Sequence, residues 1–222
     1  MIEVILQQVA PHLCFGCGKT GTPLCNNCKY YITSEPFSGC VLCGNVTTED
    51  VCAQHDAPIC KAWVVAERRT VLKRIIDAYK FENVKAAATT LVDLIDSRLP
   101  LLPAGTVIVP IPTAPSHIRQ RGYDHIDILA RLLAKRRAMP IARLLQRTSN
   151  ATQHRLNKAE RQHEAGGAFH ISEVATINPD TPLLLLDDII TTGSTISSAA
   201  RVLADAGAKT IFVATLAYQP LD

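Results

Sequence analysis

The sequence predicts an α/β fold in which a parallel sheet is flanked by helices, preceded by a small N-terminal module of different character. Three observations carry this expectation. Short all-apolar runs at Val107–Val109, Leu183–Leu186 and Ile211–Val213 alternate with segments whose apolar residues recur at helical spacing. Strands that lack polar alternation are buried on both faces, which is the pattern of a parallel sheet covered by helices. All eight cysteines lie in the first 60 residues, so that stretch obeys another logic. The expected boundary places residues 1–60 in the module and 61–222 in the α/β domain.

Each element follows from its local pattern. A short N-terminal helix is expected from Ile2, Ile5, Leu6 and Val9, and a first strand at Ala62–Ala66. From Thr70, read as an N-cap, apolar residues at Val71, Leu72, Ile75, Ile76 and Tyr79 mark a helix. A second follows through Val84, Ala88, Leu91, Leu94 and Ile95, before Pro100. Thr106–Pro110 reads as a buried strand ending in Pro-Ile-Pro, and Asp124 as the cap of a helix through Ile128, Leu129, Leu132 and Leu133. Ile141–Leu145 and Gly167–Ile171 are expected strands. Leu183–Leu186 is a strand, followed by a polar turn and a helix from about Thr195 to Ala206. Gly207 ends that helix as a C′ glycine, and a last strand occupies Thr210–Leu216.

Composition sets bounds. A hydrophobic fraction of 47% against 19% charged residues provides for a real core in an ordinary soluble protein. No apolar run approaches the ~18 residues of a membrane span. The first residues carry no basic segment ahead of an apolar one, so no signal peptide is expected and the cytoplasm is the expected location. The net charge of +3 says little, but its distribution says more. From His117 to Arg161 eleven Lys/Arg face three acids, an excess that attracts polyanions such as pyrophosphate or nucleic acid. Lys135, Arg136 and Arg137 read more simply as cations closing a helix. Lys80 beside Phe81 reads either as a nucleic-acid contact or as a surface lysine next to a core ring.

The cysteines are spaced as metal ligands. Cys14-x2-Cys17-x7-Cys25-x2-Cys28 forms two Cys-x2-Cys knuckles, a tetrahedral zinc signature. Cys40-x2-Cys43-x8-Cys52-x2-His55 repeats it with histidine in the last place. Sequential pairing closes each set through short loops, at lower entropic cost than an interleaved arrangement joining Cys14/Cys17 to Cys40/Cys43. Closed sets of four ligands are structural, because catalytic zinc keeps an open position. Cys60 is left over and is expected to pack against Trp63.

The remaining chemistry concentrates after Leu186. In an open α/β sheet, ligands sit beyond the carboxyl ends of the strands, where Asp187 and Asp188 fall. Burying two adjacent carboxylates is costly, so both are expected at the rim, facing a ligand or metal. Thr191-Thr192-Gly193-Ser194-Thr195 then offers hydroxyl donors, a glycine that lets the backbone approach an anion, and a helix N-terminus that favours phosphate. Carboxylates for sugar hydroxyls beside a phosphate cradle describe a sugar-phosphate site. The Gly-Lys-Ser/Thr ending of a nucleotide-triphosphate loop is absent.

The thirteen residues Leu183–Thr195 resemble, at every position, the phosphoribosyl pyrophosphate signature of type I phosphoribosyltransferases. That resemblance implies a type I phosphoribosyltransferase-like sheet. It gives Asp187 and Asp188 the ribose hydroxyls, and Thr191, Thr192, Gly193, Ser194 and Thr195 the 5′-phosphate. The cysteine pairs, Tyr79-Lys80-Phe81, Val109-Pro110-Ile111-Pro112, Arg121-Gly122-Tyr123, Arg147 with Gln153 and Arg161, and Ala168-Phe169 follow in the order of ComF/ComFC-type proteins. The chain therefore resembles that family over nearly its whole length. The family is linked to DNA uptake in natural transformation.

From the resemblance come phosphoribosyl pyrophosphate with Mg2+ as ligand, structural Zn2+ (one or two ions), and single-stranded DNA and a DNA-uptake helicase as partners. Arg121 and Arg161 are the first choices for holding pyrophosphate, since guanidinium matches phosphate geometry. The family usually has Arg-Gly-Phe-Asn-Gln where this chain has Arg121-Gly122-Tyr123-Asp124-His125. An amide-to-acid change in a pyrophosphate pocket is expected to weaken anion binding. Two roles follow: handling of single-stranded DNA during competence, or an active glycosyltransferase moving phosphoribosyl to a nitrogen acceptor with release of pyrophosphate. No glutaminase motif or N-terminal cysteine nucleophile accompanies the fold, which disfavours an amidotransferase.

Overall fold

The computed structural model describes residues 12–148, 168–172 and 176–220. Among these the chain runs α1 (Asn26–Ser34), β1 (Lys61–Glu67), α2 (Thr70–Phe81), α3 (Ala87–Arg98), β2 (Val107–Pro110), α4 (Pro115–Arg121) and α5 (His125–Arg137). It continues with β3 (Leu145–Arg147), β4 (Phe169–Ile171), β5 (Leu183–Ile190), α6 (Ser194–Asp205) and β6 (Ile211–Tyr218). The expected helix at Ile2–Val9, and Gln153, Arg155, Lys158 and Arg161, lie outside the described residues.

Four strands form a wholly parallel sheet in the order β1-β6-β5-β2. The long apolar runs are explained by cover on both faces. Leu184 and Leu186 pack with Ile108, Leu216 and the helices α2, α3 and α5. Leu183 and Leu185 point the other way, toward Val109, Val213 and the α6 residues Ile196, Ala199, Ala200 and Leu203. Neighbouring residues on a strand face opposite layers, so four consecutive leucines fill two cores at once. Burying each such side chain contributes roughly 1.5–3 kcal/mol. β3 and β4 make a separate antiparallel pair.

Three local expectations shift. Thr70 is the first residue of α2 rather than its cap, because Arg68 N–H donates to the Tyr218 carbonyl and Arg69 N–H to Glu67, closing the turn one residue earlier. The expected strand at Ile141–Leu145 is a single parallel bridge from Ile141 to Ile108, and regular pairing begins only at Leu145. Most important, β5 does not end at Leu186. It runs through both aspartates to Ile190, because β6 stays alongside it as far as the Ile190–Tyr218 pair.

At Asp124 and Gly207 the local chemistry holds. Asp124 caps α5, accepting from the N–H groups of Ile126 and Asp127. Gly207 follows α6 with φ 103°. Arg136 pairs with Asp93, while Arg137 binds Asp96 and the carbonyls of Leu99 and Pro100, so these cations tie α5 to the end of α3. Cys60, expected to be covered by Trp63, is instead exposed, and the indole leans on Phe212, 5.6 Å between centroids. Among the described residues no helix is long and apolar enough to cross a membrane.

Candidate functional site

β2 and β5 pair only as far as Pro110 and Leu186. Ile111 N–H still donates to the Leu186 carbonyl at 3.0 Å, and then Pro112 turns the chain away. A proline has no N–H to continue a ladder, so Pro-Ile-Pro ends the pairing while β5 runs on. The gap left beside the last turn of β5 is a cavity of about 170 Å3. Asp187, Asp188 and Thr195 line it from β5 and α6, Thr113 and His117 from the β2–α4 segment, and Lys80, Arg121, His125 and Arg147 from surrounding elements.

The two aspartates differ sharply in environment. Asp188 is buried, contrary to the expectation that both acids lie at the rim. Its Oδ2 lies 2.8 Å from Lys80 Nζ and 2.6 Å from His125 Nε2. These partners offset the cost of burying the charge. Burial pushes the Asp188 carboxyl up, but the His125 hydrogen bond and the Lys80 charge outweigh it and hold the carboxyl well below the usual range. Asp187 is half-buried and has no such pair among the described residues. Burial, then repulsion from Asp188, push its carboxyl up to about 7.

His125 belongs to a relay. Arg121 Nη1 lies 2.8 Å from His125 Nδ1, and His125 Nε2 lies 2.6 Å from Asp188 Oδ2, so the imidazole bridges the guanidinium and the carboxylate. Arg121 also lies over the exposed Phe81 ring, 5.4 Å from its centroid, and its buried Nε finds no partner among the described residues. Tyr79, fully buried in α2, donates to the His125 carbonyl at 2.8 Å and fixes the start of α5. Lys80 is thus neither a surface lysine nor a free contact, and Phe81 is not a core residue. Arg147 Nε donates to the Pro112 carbonyl at 2.8 Å and lies over Phe169.

The sequence singled out Lys80 and His125 without placing either beside the aspartates. The helical stripe held the signal for the first: Leu72, Ile76 and Lys80 recur every four residues, so a lysine continues a buried line. Nothing local placed His125, whose partner is 63 residues away.

Asp124 does not enter the cavity. Its Oδ1 accepts from Thr113 and from two N–H groups of α5, so the acid that replaces the family's amide is spent on capping. Of the basic segment, Arg121 and Arg147 face the cavity, whereas Arg131 and Arg143 both pair with Asp127.

The turn after β5 has the form expected of it. Gly193 takes φ 66° as the N-cap of α6, Thr192 Oγ1 lies 2.8 Å from Ser194 Oγ, and Ser194 N–H points at Thr192 Oγ1. Thr191, Thr192 and Ser194 are exposed, and Thr195 lines the cavity. Hydroxyls and unpaired N–H groups at a helix start suit an anionic group, and the adjacent carboxylate suits a polyol or a divalent cation.

The cysteines converge in sequential sets, Cys14/Cys17/Cys25/Cys28 and Cys40/Cys43/Cys52/His55, each with its ligand atoms within 4.8 Å of one another. One edge of each set has the length zinc requires. A tetrahedron with Zn–S bonds of about 2.3 Å has edges of about 3.8 Å. Cys17–Cys25 and Cys43–Cys52 Sγ separations are both 3.7 Å. Backbone N–H groups already address the sulfurs, Cys25 to Cys14, and Leu42 and Cys52 to Cys40. His55 Nε2 is buried without a hydrogen-bond partner among the described residues. Both clusters are able to bind zinc.

Residues 118–222 match the phosphoribosyl transferase domain. Over 213 residues, covering 87% of this chain and 90% of the relative, the sequence is 28% identical to Competence protein F of Haemophilus influenzae.

Proposed function

For a chain that belongs to the ComF family, with a phosphoribosyl transferase domain behind an N-terminal pair of cysteine clusters, we propose that the cavity beside β5 binds phosphoribosyl pyrophosphate with Mg2+. Residues 1–60 are read as a zinc module and 61–222 as the sugar-phosphate domain. The observation that carries the reading is the division of labour between the two aspartates. Asp188 is ion-paired with Lys80 and hydrogen-bonded to His125, which leaves Asp187 as the carboxylate available to ligand hydroxyls or a cation. The 5′-phosphate would rest on Thr191–Thr195, with the ribose over the acids. Arg121 and Arg147 supply positive charge for the pyrophosphate, in a partly desolvated site where such charge acts strongly. Arg161 is assigned to the same anion on resemblance alone.

The biological setting we assign is single-stranded DNA handling during competence, in the cytoplasm and alongside a DNA-uptake helicase. The support is the name of the relative, a competence protein matched along most of both chains. Phosphoryl-sugar recognition would serve there to hold or sense phosphoribosyl groups.

A calorimetric titration of the protein with phosphoribosyl pyrophosphate and Mg2+, with and without a single-stranded oligonucleotide, tests both levels. Saturable binding in the absence of DNA is the expected result. A salt-dependent shift when the oligonucleotide is added supports the DNA role. No binding of the sugar phosphate at any Mg2+ concentration would dispose of the site.

A further inference from the structure

The two cysteine clusters are not equivalent in where they pack. Cys14, Leu24 and Ile32 of the first belong to the core beneath α2 and α3. Cys40, Val41 and Leu42 of the second belong to the opposite core, with Ile190, Ile196 and Tyr218. Those last three residues frame the turn that follows β5. The second cluster reaches it, through the main chain and side chain of Leu42. A Cβ added at Gly193 would stand 2.5 Å from Leu42 Cα and 2.7 Å from Leu42 Cδ2, so the knuckle lies directly against the turn.

The contact continues along the strand ends. Gly44 lies against the Tyr218 hydroxyl so closely that no side chain fits between them. Phe37 stacks on the Tyr218 ring at 4.5 Å and 24°. Tyr218 pairs with Ile190, and Gln219 N–H donates to the Ile190 carbonyl at 2.8 Å, just before the turn begins. The conformation of the knuckle is in turn set at its sulfurs. Leu42 and Cys52 N–H groups both address Cys40 Sγ, and Gly44 N–H bonds the Cys40 carbonyl at 2.7 Å.

We propose that the second knuckle, Cys40/Cys43/Cys52/His55, positions the phosphate-binding turn through Leu42 and Gly193, so that zinc at this site and sugar phosphate at the turn bind cooperatively. This rests on the sugar-phosphate reading of the turn. A metal that orders Cys40–Cys43 holds Leu42 in place, and Leu42 backs Gly193 in the left-handed conformation that opens α6. Without the metal the backing loosens, and the turn must be ordered at the expense of ligand affinity. Linkage makes the effect reciprocal: the ligand strengthens zinc at the second knuckle by the same factor. Leu42 is a positioning residue and touches no ligand.

The test compares three variants with the unaltered protein. Cys52→Ser disables the second knuckle, Cys17→Ser the first, and Leu42→Ala shortens the contact while keeping every metal ligand. Binding of Mg2+–phosphoribosyl pyrophosphate is measured by calorimetry, zinc by metal analysis, and folding by thermal melting. Cys52→Ser is expected to lose one zinc and to weaken binding about tenfold or more, within the usual range of coupling between sites. Leu42→Ala should weaken binding severalfold with its zinc complement intact, and Cys17→Ser should lose one zinc with affinity unchanged.

A second readout needs no variant. When a chelator draws zinc from the native protein, one of the two equivalents should be retained more tightly in the presence of the ligand. Equal losses of affinity in Cys52→Ser and Cys17→Ser, or ligand-independent release of both zinc ions, would overturn the proposal even if Cys52→Ser proved poorly folded. Absence of binding by the unaltered protein would instead remove the sugar-phosphate reading, and this inference with it.

Discussion

His125 Nε2 lies 2.6 Å from Asp188 Oδ2, joining the first turn of α5 to the end of β5 across a buried contact. With Lys80 on the same oxygen, one acid of an adjacent pair is held ionised while the other is forced toward its neutral form. The consequences are measurable.

Asp187 governs ligand binding and its pH dependence. The unfolded carboxyl gives up its proton near 3.8 and the folded one near 7. Between those values the folded state holds more protons, so this group's contribution to stability is fully present below about pH 4 and declines as pH rises to about 7. Ligand affinity should move the other way and strengthen as pH rises through 7, because the ionised carboxylate is the form that takes a cation or hydroxyls. Asp187→Asn should bind phosphoribosyl pyrophosphate at least tenfold more weakly, melt no lower than the native protein at pH 8, and flatten the pH profile. A variant whose pH profile of stability matches the native one would contradict the assignment.

Lys80 acts on Asp188. Lys80→Met leaves a buried carboxylate with His125 as its one remaining partner, at a cost of about 3 kcal/mol. Lys80→Met/Asp188→Asn should recover most of that loss, since no unpaired charge remains. Urea denaturation of the two variants decides it, and equal instability would argue against the pair.

Asp124 offers a test of a departure from the family pattern. Its carboxylate caps α5 and does not face the cavity. Asp124→Asn, which restores the usual amide, should therefore leave ligand affinity within a factor of two. Asp124→Ala should cost about 1 kcal/mol through the lost cap. A large gain in affinity for Asp124→Asn would place the acid in the anion site after all.

The cysteine clusters predict two zinc ions per chain by metal analysis of the purified protein. Zinc that binds the folded clusters stabilises the fold, so prolonged chelation should lower the melting temperature measurably. Thermal stability indifferent to chelator would show that the clusters close without metal.

Local chemistry made much of this legible beforehand. The cysteine spacing pointed to sequential sets, because short loops between neighbouring knuckles close at low entropic cost. Apolar runs gave the parallel sheet, and Asp124 the start of α5. The extent of β5 was hidden, because its continuation through Asp187 and Asp188 depends on β6 remaining alongside, and that pairing is non-local. Arg136 and Arg137, legible only as a helix end, proved to be ties to α3.

By itself the sequence determined the ingredients: two adjacent acids, a Thr/Gly turn opening a helix, and two four-ligand clusters, each specified by residues a few positions apart. Tertiary structure decided what each acid can do and what supports the turn. Lys80, His125 and Leu42 lie 108, 63 and 151 residues from the groups they serve. Charge compensation and close packing act through space at a few ångströms, and no local pattern in the chain records which distant residues the fold brings that near.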